Sequence, residues 1–229
     1  MIEDRNQGKD LRMITKGKYD TSGLIEAQFE SGSRGRVLKN LRGIARKREM
    51  DHVEGEEQLR ALRELIAVYD FDHRFTSADV CDIHRAWLGT VYEWAGIYRR
   101  VNISKGGFLF AAAAQVPSLM KDFEKGPLRE YTPCIFGSPE KVAKALAVVH
   151  AELVLIHPFR EGNGRVARMV SILMALQGGL PPLDFSGIRG KRRKDYFTAV
   201  QAGLDRNYEP MEEIFSDVIR RTPAIHEPE

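Results

Sequence analysis

The chain has 229 residues, of which 43% are hydrophobic, so it is long enough to bury one sizeable core and does not require two domains. Its formal net charge of +3 at pH 7 is too small to favour nucleic acid as a partner. No apolar run approaches the roughly 20 residues of a membrane span, and residues 1–18 are charged and lack the apolar stretch of a signal peptide. We therefore expect a soluble, cytoplasmic protein that binds neither nucleic acid nor a membrane.

The beginning of the chain differs in composition from the remainder. Residues 1–35 are rich in glycine, serine and charged side chains, which predicts an arm that wraps the rest of the protein. Residues 36–229 are expected to form a single domain. Its first helices are predicted at about residues 49–69 and, after the capping residues Thr76 and Ser77, as far as Leu88.

Residues 91–114 change in character and predict a short β-hairpin. Residues 96–103 alternate in part between apolar and polar side chains, and a glycine turn then leads into a second extended run. The turn and the second strand comprise Gly106, Gly107, Phe108, Leu109 and Phe110. A two-stranded hairpin is seldom stable alone, so this one must lean on the helices.

The second half of the chain predicts further helices. Residues 126–137 contain two prolines and are expected to be a loop, after which Ser138 caps an amphipathic helix that Pro158 ends. Residues 166–176 are apolar nearly all round, which is typical of a buried central helix. Later helices are predicted at about residues 195–204 and 211–220. The fold class is therefore all-α with one short hairpin.

The stretch between the two central helices carries most of the chemistry of the chain. It reads His-Pro-Phe-Arg-Glu-Gly-Asn-Gly-Arg from His157 to Arg165, and a second arginine follows at Arg168. The first N–H groups of a helix have no partner and bind phosphate oxygens well. Gly162 and Gly164 allow the backbone to approach such an anion closely. These residues predict an anion-binding loop at the start of a buried helix.

The side chains of the loop indicate which reaction the bound anion undergoes. Arg165 and Arg168 lie three residues apart and add forked, charged donors. Glu161 would repel a phosphate unless a divalent cation lay between them, which predicts a site for Mg²⁺. His157 has an ordinary pKa suited to taking a proton from a hydroxyl nucleophile. Together they indicate transfer of a phosphate ester.

This stretch resembles the signature of the Fic (filamentation induced by cAMP) domain, His-Pro-Phe-x-Asp/Glu-Gly-Asn-Gly/Lys-Arg, and matches it at every fixed position. The resemblance covers about residues 36–221, with the family core at about residues 76–178. It implies a mainly helical Fic fold and an enzyme that transfers AMP from ATP to a Ser, Thr or Tyr hydroxyl of a target protein. It also implies that the hairpin is a flap that docks the target by strand addition.

The resemblance assigns a role to each residue of the loop. His157 is the general base, Glu161 holds Mg²⁺, and Phe159 anchors the loop in the core. The anion hole and the triphosphate contacts comprise Gly162, Asn163, Gly164, Arg165 and Arg168.

Many Fic enzymes are held inactive by a helix bearing Ser/Thr-x-x-x-Glu-Gly/Asn, whose glutamate pairs with the second arginine of the motif, here Arg168. The sequence contains only near matches. Glu26 has Ser22 before it but Ala27 after it, and Glu54 has Gly55 after it but Met50 where the hydroxyl should be. We therefore expect the inhibitory helix to come from a separate, antitoxin-like chain, with self-inhibition by Glu54 as the alternative.

Two other functions stay open at this point. One is Fic-type transfer of another group, such as UMP, phosphocholine or phosphate. Phosphate-transferring relatives carry Ala and Lys where this chain has Gly162 and Gly164, which counts against that variant. The other is a catalytically silent interaction module, which would have no need of the intact His157 and Glu161.

Overall fold

The computed structural model describes residues 23–222, so part of the predicted arm, residues 1–22, lies outside the described residues. The described part contains eight α-helices and one two-stranded antiparallel hairpin, which confirms the predicted fold class. The elements are α1 (Lys47–Val68), α2 (Ser77–Leu88), β1 (Ser104–Lys105), β2 (Phe108–Leu109), α3 (Val116–Phe123), α4 (Arg129–Tyr131), α5 (Pro139–Ile156), α6 (Asn163–Gln177), α7 (Lys191–Ala202) and α8 (Glu209–Arg221). Between residues 23 and 222, no helix combines the length and the apolar character that crossing a bilayer requires.

Helices α5 and α6 form the centre of the fold. Helix α5 packs against α6, α7 and α8, and α6 also contacts α2. The Ser138 hydroxyl caps α5 by accepting the Lys141 N–H at 3.4 Å. In α6, Val166, Met169 and Val170 are fully buried, as the apolar pattern predicts. The α5–α6 junction is therefore held between buried helices.

Helices α1 and α2 pack on one side of this centre. The N-terminus of α2 carries a capping box, in which the Thr76 hydroxyl accepts the Asp79 N–H at 3.2 Å and the Asp79 carboxylate accepts the Thr76 N–H at 2.7 Å. On the same helix, Trp87 is fully buried, and its Nε1–H donates to the Glu54 carbonyl of α1 at 2.8 Å. This bond ties the two helices together beneath the α5–α6 junction.

The segment before α5 differs from the sequence prediction. Residues 126–137 were expected to be a loop, but a π-helical turn at Glu124–Leu128 leads directly into α4. A π turn is wider than an α turn, which relieves the clash that Pro127 would otherwise make in a helix. Leu128 is fully buried and fixes this turn to the core. Only the part of the segment that follows Tyr131 is irregular.

The capping box makes the first testable prediction. Replacing Thr76 by Ala removes the hydroxyl that accepts the Asp79 N–H, so the free energy of unfolding should fall by about 1 kcal/mol. Urea denaturation measures this change. The matched control is Thr198→Ala, at an exposed position inside α7, where no loss is expected because Ala has the higher helix propensity. Equal losses in the two variants would contradict a capping role for Thr76.

Candidate active site

His157 lies at the C-terminal end of α5 in the left-handed conformation, with φ 53° and ψ 59°. This conformation turns the chain out of the helix immediately before Pro158. The Nδ1–H of the imidazole donates to the Val154 carbonyl at 2.9 Å, which fixes the tautomer and leaves Nε2 with a lone pair. Within residues 23–222, no hydrogen bond occupies Nε2. His157 therefore has the hydrogen-bonding state of a general base.

The surroundings of His157 keep the imidazole neutral. Burial lowers its pKa from 6.5 to about 4, because a low-dielectric environment disfavours the charged form. The Phe110 ring stacks on the imidazole with 3.6 Å between the ring centroids and 19° between the planes. Arg99 lowers the pKa further by charge repulsion. At neutral pH the ring is therefore ready to accept a proton.

The loop after His157 is closed by its own asparagine. The Asn163 amide accepts the Phe159 N–H and donates to the Phe159 carbonyl, both at 2.7 Å. The side chain of Asn163 is thus engaged within the loop, so only its backbone N–H is left for an anion. That N–H and the N–H of Gly164 begin α6, and neither has an acceptor among the described residues. They are the free donors that the sequence predicts at this helix start.

Gly162 allows the loop to pass close to α2. Its φ is 82°, and a Cβ built on it would lie 2.7 Å from Cζ3 of Trp87. A side chain at this position would be strained in its backbone and would also collide with a buried ring. By contrast, a Cβ on Gly164 would meet nothing within 4 Å. Packing therefore requires the first glycine only, and the second is open to a ligand.

A second histidine, His84, is buried and also supports the loop. His84 of α2 stacks on Phe159, with 3.9 Å between the ring centroids. Its Nε2 bonds to the Glu161 carbonyl at 3.1 Å, and its Nδ1 accepts the Gly96 N–H at 2.8 Å. Burial lowers its pKa to about 3, so it is neutral. This role follows from the contact between α2 and a loop that is distant in sequence, so no local sequence pattern indicates it.

Glu161 is half-exposed on the loop, which suits a metal ligand. Its carboxylate accepts the Gly162 N–H at 3.0 Å and lies 3.5 Å from Nη2 of Arg165. No group of three acidic, histidine or cysteine side chains that could hold a metal occurs in the described part of the chain. Glu161 could contribute one carboxylate to a divalent cation, because Mg²⁺ commonly takes one or two carboxylates and completes its shell with phosphate oxygens and water.

The two arginines of the loop have different partners. Arg165 donates from Nη1 to the buried carboxylate of Glu54 at 2.6 Å and stacks over Trp87, 4.5 Å from the ring centroid. Arg168 has no carboxylate partner among residues 23–222, and its Nε is buried without an acceptor there. Glu54, one of the two candidate inhibitory residues, therefore pairs with the first arginine of the motif.

Glu26, the other candidate inhibitory residue, lies in a short 3₁₀ helix, Ile25–Ala27. Its carboxylate accepts the Arg100 N–H at 2.8 Å, and its carbonyl accepts the Nε–H of Arg160 at 2.9 Å. These bonds fasten the described part of the arm to the motif loop and to the irregular segment that leads into the hairpin. Glu26 has no bond to Arg168 within the described residues.

The hairpin lies beside His157. Gly106 and Gly107 make its turn with φ values of 57° and 82°, and the strands are only two residues long, shorter than the sequence pattern indicates. Leu109 is 70% exposed, while Phe110 stacks on His157. The hairpin thus presents one apolar side chain to solvent and another to the candidate base.

Arg99, which the sequence reading did not single out, joins the hairpin to the end of α5. It is 1% exposed, and its guanidinium donates to the carbonyls of His157 at 2.7 Å, Val101 at 2.9 Å and Ala111 at 2.6 Å. Val101 precedes β1 and Ala111 follows β2. One side chain therefore sets both legs of the hairpin against the backbone of His157.

A cavity of about 770 Å³ opens between the hairpin, the motif loop and α7. His157, Gly164 and Arg168 line it from the loop, whereas Gly162, Glu161 and Arg165 do not. All its charged lining residues are cations, namely Lys105, Arg168, Arg193 and Lys194. Phe108, Phe110, Tyr196 and Phe197 supply aromatic walls. Such a cavity suits an anionic ligand with a flat, apolar part.

The contrast between the two glycines makes the second prediction. Gly162→Ala should lower the free energy of unfolding by about 2–5 kcal/mol, since its Cβ collides with Trp87 and its φ is unfavourable for Ala. Gly164→Ala is the matched control and should change it by less than about 1 kcal/mol. Guanidinium denaturation of both variants measures the difference. A larger loss for Gly164→Ala would contradict the packing described for this loop.

Comparison with known proteins identifies the family. Residues 74–175 match the sequence model of the Fic/DOC family. A protein adenylyltransferase Fic from Aedes aegypti is 31% identical over 152 residues, which are 66% of this chain and 29% of that protein. The match therefore spans less than a third of that relative's length.

Solved structures agree with this assignment. The BepC protein, a VirB-translocated effector of Bartonella tribocorum crystallised with AMPPNP, has a TM-score of 0.67 at 23% identity over 86% of this chain and 97% of that chain. The N-terminal Fic domain of a cell filamentation protein from Bartonella quintana with bound ADP has a TM-score of 0.66 at 26% identity over 84% of this chain and 94% of that chain. Residues 74–175 of this chain therefore form a domain of the Fic/DOC family.

Proposed function

We propose that this chain is a protein adenylyltransferase, which transfers AMP from ATP to a hydroxyl side chain of a target protein and releases pyrophosphate. One observation carries the proposal: His157, whose Nε2 has no hydrogen bond within the described residues, and Gly164, whose N–H has no acceptor there, line one cavity in which all charged residues are cations. The name of the Aedes aegypti relative and the AMPPNP and ADP bound to the Bartonella proteins support the same activity.

Different residues of the loop would make different contributions to ATP binding. The N–H groups of Asn163 and Gly164 are available to phosphate oxygens, and Arg168 lines the same cavity as Gly164 and brings a charge to it. Arg165 does not line the cavity, but it follows Gly164 directly in α6 and would add a second charge to the phosphate site, with its guanidinium paired to Glu54 of α1. Glu161 would hold Mg²⁺, which would supply neutralisation of the phosphate charge. Phe197 and Tyr196 of α7 line the same cavity and offer aromatic surface to the adenine ring of ATP.

The chemical step then requires one base and one leaving group. Nε2 of His157 takes the proton of the target hydroxyl as its oxygen attacks the α-phosphorus of ATP in line with the bond to the β-phosphate. The new P–O bond forms as the bond to pyrophosphate breaks, so pyrophosphate leaves with the electron pair. The proton remains on His157, and the helix donors stabilise the charge on the phosphorus oxygens.

The hairpin would act as the flap that presents the hydroxyl. Its exposed strand can add an extended segment of the target through main-chain hydrogen bonds, which accept nearly any sequence. Leu109 is positioned to contact side chains of that segment, since it is 70% exposed. Arg99 would keep the flap in register with the base, because it bonds to the backbone of both.

Control by a separate, antitoxin-like chain stays a prediction. Its support is that Arg168, the arginine that an inhibitory glutamate would occupy, has no carboxylate partner between residues 23 and 222. A partner glutamate would compete with a phosphate for that charge. Cytoplasmic location likewise stays a prediction from the sequence.

Labelled ATP tests the proposed activity. We expect the purified chain, incubated with Mg²⁺ and a protein extract, to leave label from the α-phosphate on hydroxyl side chains, and His157→Ala to lower this rate by about 10²–10⁴-fold. The matched control is His52→Ala, which should retain full activity, because the His52 side chain is 73% exposed and lies 3.4 Å from Glu56 on the surface of α1.

The position of the label separates the competing functions. Retention of a γ-phosphate label would contradict AMP transfer and favour a phosphate-transferring enzyme. Label from α-labelled UTP alone would favour UMP transfer. Absence of any label from ATP, UTP or a phosphocholine donor would favour an interaction module.

The low pKa of His157 makes a prediction about pH. The neutral form is the base, and its pKa of about 4 keeps it neutral throughout pH 5–8. The value of kcat/KM for transfer should therefore change less than twofold between pH 7.5 and pH 5.5. A histidine with the ordinary pKa of about 6.5 would lose about tenfold over that interval. Initial rates at subsaturating ATP measure this, and a midpoint near 6.5 would contradict the stated environment of His157.

A further inference from the structure

Glu54 is an acidic residue inside the core. It lies on α1, is 2% exposed, and both oxygens of its carboxylate are occupied. Oε1 accepts the Tyr92 hydroxyl at 2.7 Å, and Oε2 accepts Nη1 of Arg165 at 2.6 Å. A buried carboxylate is costly unless it is paired and hydrogen-bonded. Here the arrangement meets both conditions, and the charged partner is an arginine of the motif loop.

Three groups hold the guanidinium of Arg165. Glu54 bonds to one terminal nitrogen, and the other, Nη2, lies 3.5 Å from the Glu161 carboxylate. Its plane rests over Trp87, whose own N–H donates to the backbone carbonyl of Glu54. The carboxylate and the ring are thus fixed to one turn of α1. The Glu54 carboxylate and the Trp87 ring therefore fix the position of Arg165 without any ligand.

An inhibitory role does not match this geometry. An inhibitory glutamate would occupy the arginine that faces the nucleotide, and the arginine that lines the cavity is Arg168. Glu54 does not line that cavity and has no contact with Arg168 in the described structure.

We infer that Glu54 is a positioning residue, which keeps Arg165 ordered for the phosphates of the nucleotide. The inference rests on the proposed function for the identity of that nucleotide. Without the charge of Glu54, the nearest carboxylate to Arg165 is Glu161, and pairing between them would occupy the proposed metal ligand. Loss of Glu54 should therefore weaken the site, which is the opposite of what release from an inhibitor would do.

The test compares two glutamates of the same helix. Glu54→Gln keeps the shape and removes the charge, and Glu57→Gln is the matched control, since Glu57 pairs with Arg60 at 2.8 Å and with Arg42, away from the loop. We expect Glu54→Gln to weaken ATP binding about tenfold, the factor of one charged hydrogen bond, and to lower AMP transfer. Glu57→Gln should leave ATP binding unchanged. Calorimetric titration with ATP and Mg²⁺ measures the affinities.

A double variant shows whether the effect passes through Arg165. In an Arg165→Gln background, Glu54→Gln should weaken ATP binding less than twofold further, because the residue it positions is gone. An undiminished tenfold loss in that background would overturn the inference. So would increased self-modification by Glu54→Gln, or equal losses of ATP affinity in Glu54→Gln and Glu57→Gln. If Glu54→Gln fails to fold, Glu54→Asp, which keeps the charge but shortens the reach, replaces it in the same comparisons.

A measurement without nucleotide separates this inference from the proposed function. In arginine-detected NMR of the free protein, the Arg165 guanidinium, assigned by its loss in Arg165→Lys, should exchange its protons slowly because Glu54 holds it. Glu54→Gln should make that exchange fast, whereas Glu57→Gln should not alter it. An unchanged Arg165 signal in Glu54→Gln would overturn the inference even if AMP transfer is found. A chain that transfers no AMP yet shows this change would defeat only the proposed function.

Discussion

The pair of hydrogen bonds between the Asn163 amide and the Phe159 backbone is the constraint on which the site depends. It closes the loop into a tight turn, so α6 begins close to the last turn of α5. At the other end of the loop, the left-handed conformation of His157 turns the chain out of α5. Because both helices are buried, their ends cannot move apart without opening the core. The imidazole and the free N–H groups are therefore held together by packing that requires no ligand.

Three histidines near this core illustrate how hydrogen bonds, rather than burial, assign a role. Burial lowers the pKa of His84 and His150 to about 3 and that of His157 to about 4, so all three are neutral. Both nitrogens of His84 are bonded, and those of His150 bond to Ser171 and Tyr196. His157 keeps one nitrogen unbonded within the described residues. Neutrality is shared by all three, but only this histidine combines it with an available lone pair beside the anion loop.

The sequence predicts the parts of the fold that depend on nearby residues. The Thr76 and Ser138 caps, the buried helix after residue 163 and the hairpin turn follow from signals within a few positions of each element. The π turn at Glu124–Leu128 was not predicted, because Pro127 is ordinarily a helix breaker and the wider turn that tolerates it depends on burial of Leu128.

The supporting residues of the site could not be predicted for a different reason. Arg99 reaches a carbonyl 58 positions away, His84 one 77 positions away, and Glu54 pairs across 111 positions. A local pattern contains no information about such partners, since an arginine, a histidine or a glutamate on a helix is usually explained by solvent or by a neighbouring side chain. The motif itself was readable because its residues are consecutive. The residues that support it come from α1, α2 and the segment before β1.

The different environments of Arg165 and Arg168 follow from their spacing on α6. Three residues along a helix rotate a side chain by most of a turn, so neighbours of this kind share a face yet meet different surroundings. Arg165 meets α1 and α2, where a carboxylate and an indole ring hold it, and Arg168 meets the cavity and the Phe185 ring, 5.9 Å from its guanidinium. Ordering a long side chain costs entropy at the moment of binding. For Arg165 this entropy is already lost when the protein folds, so binding does not have to order its side chain. Arg168 keeps its charge available to a ligand that enters the cavity.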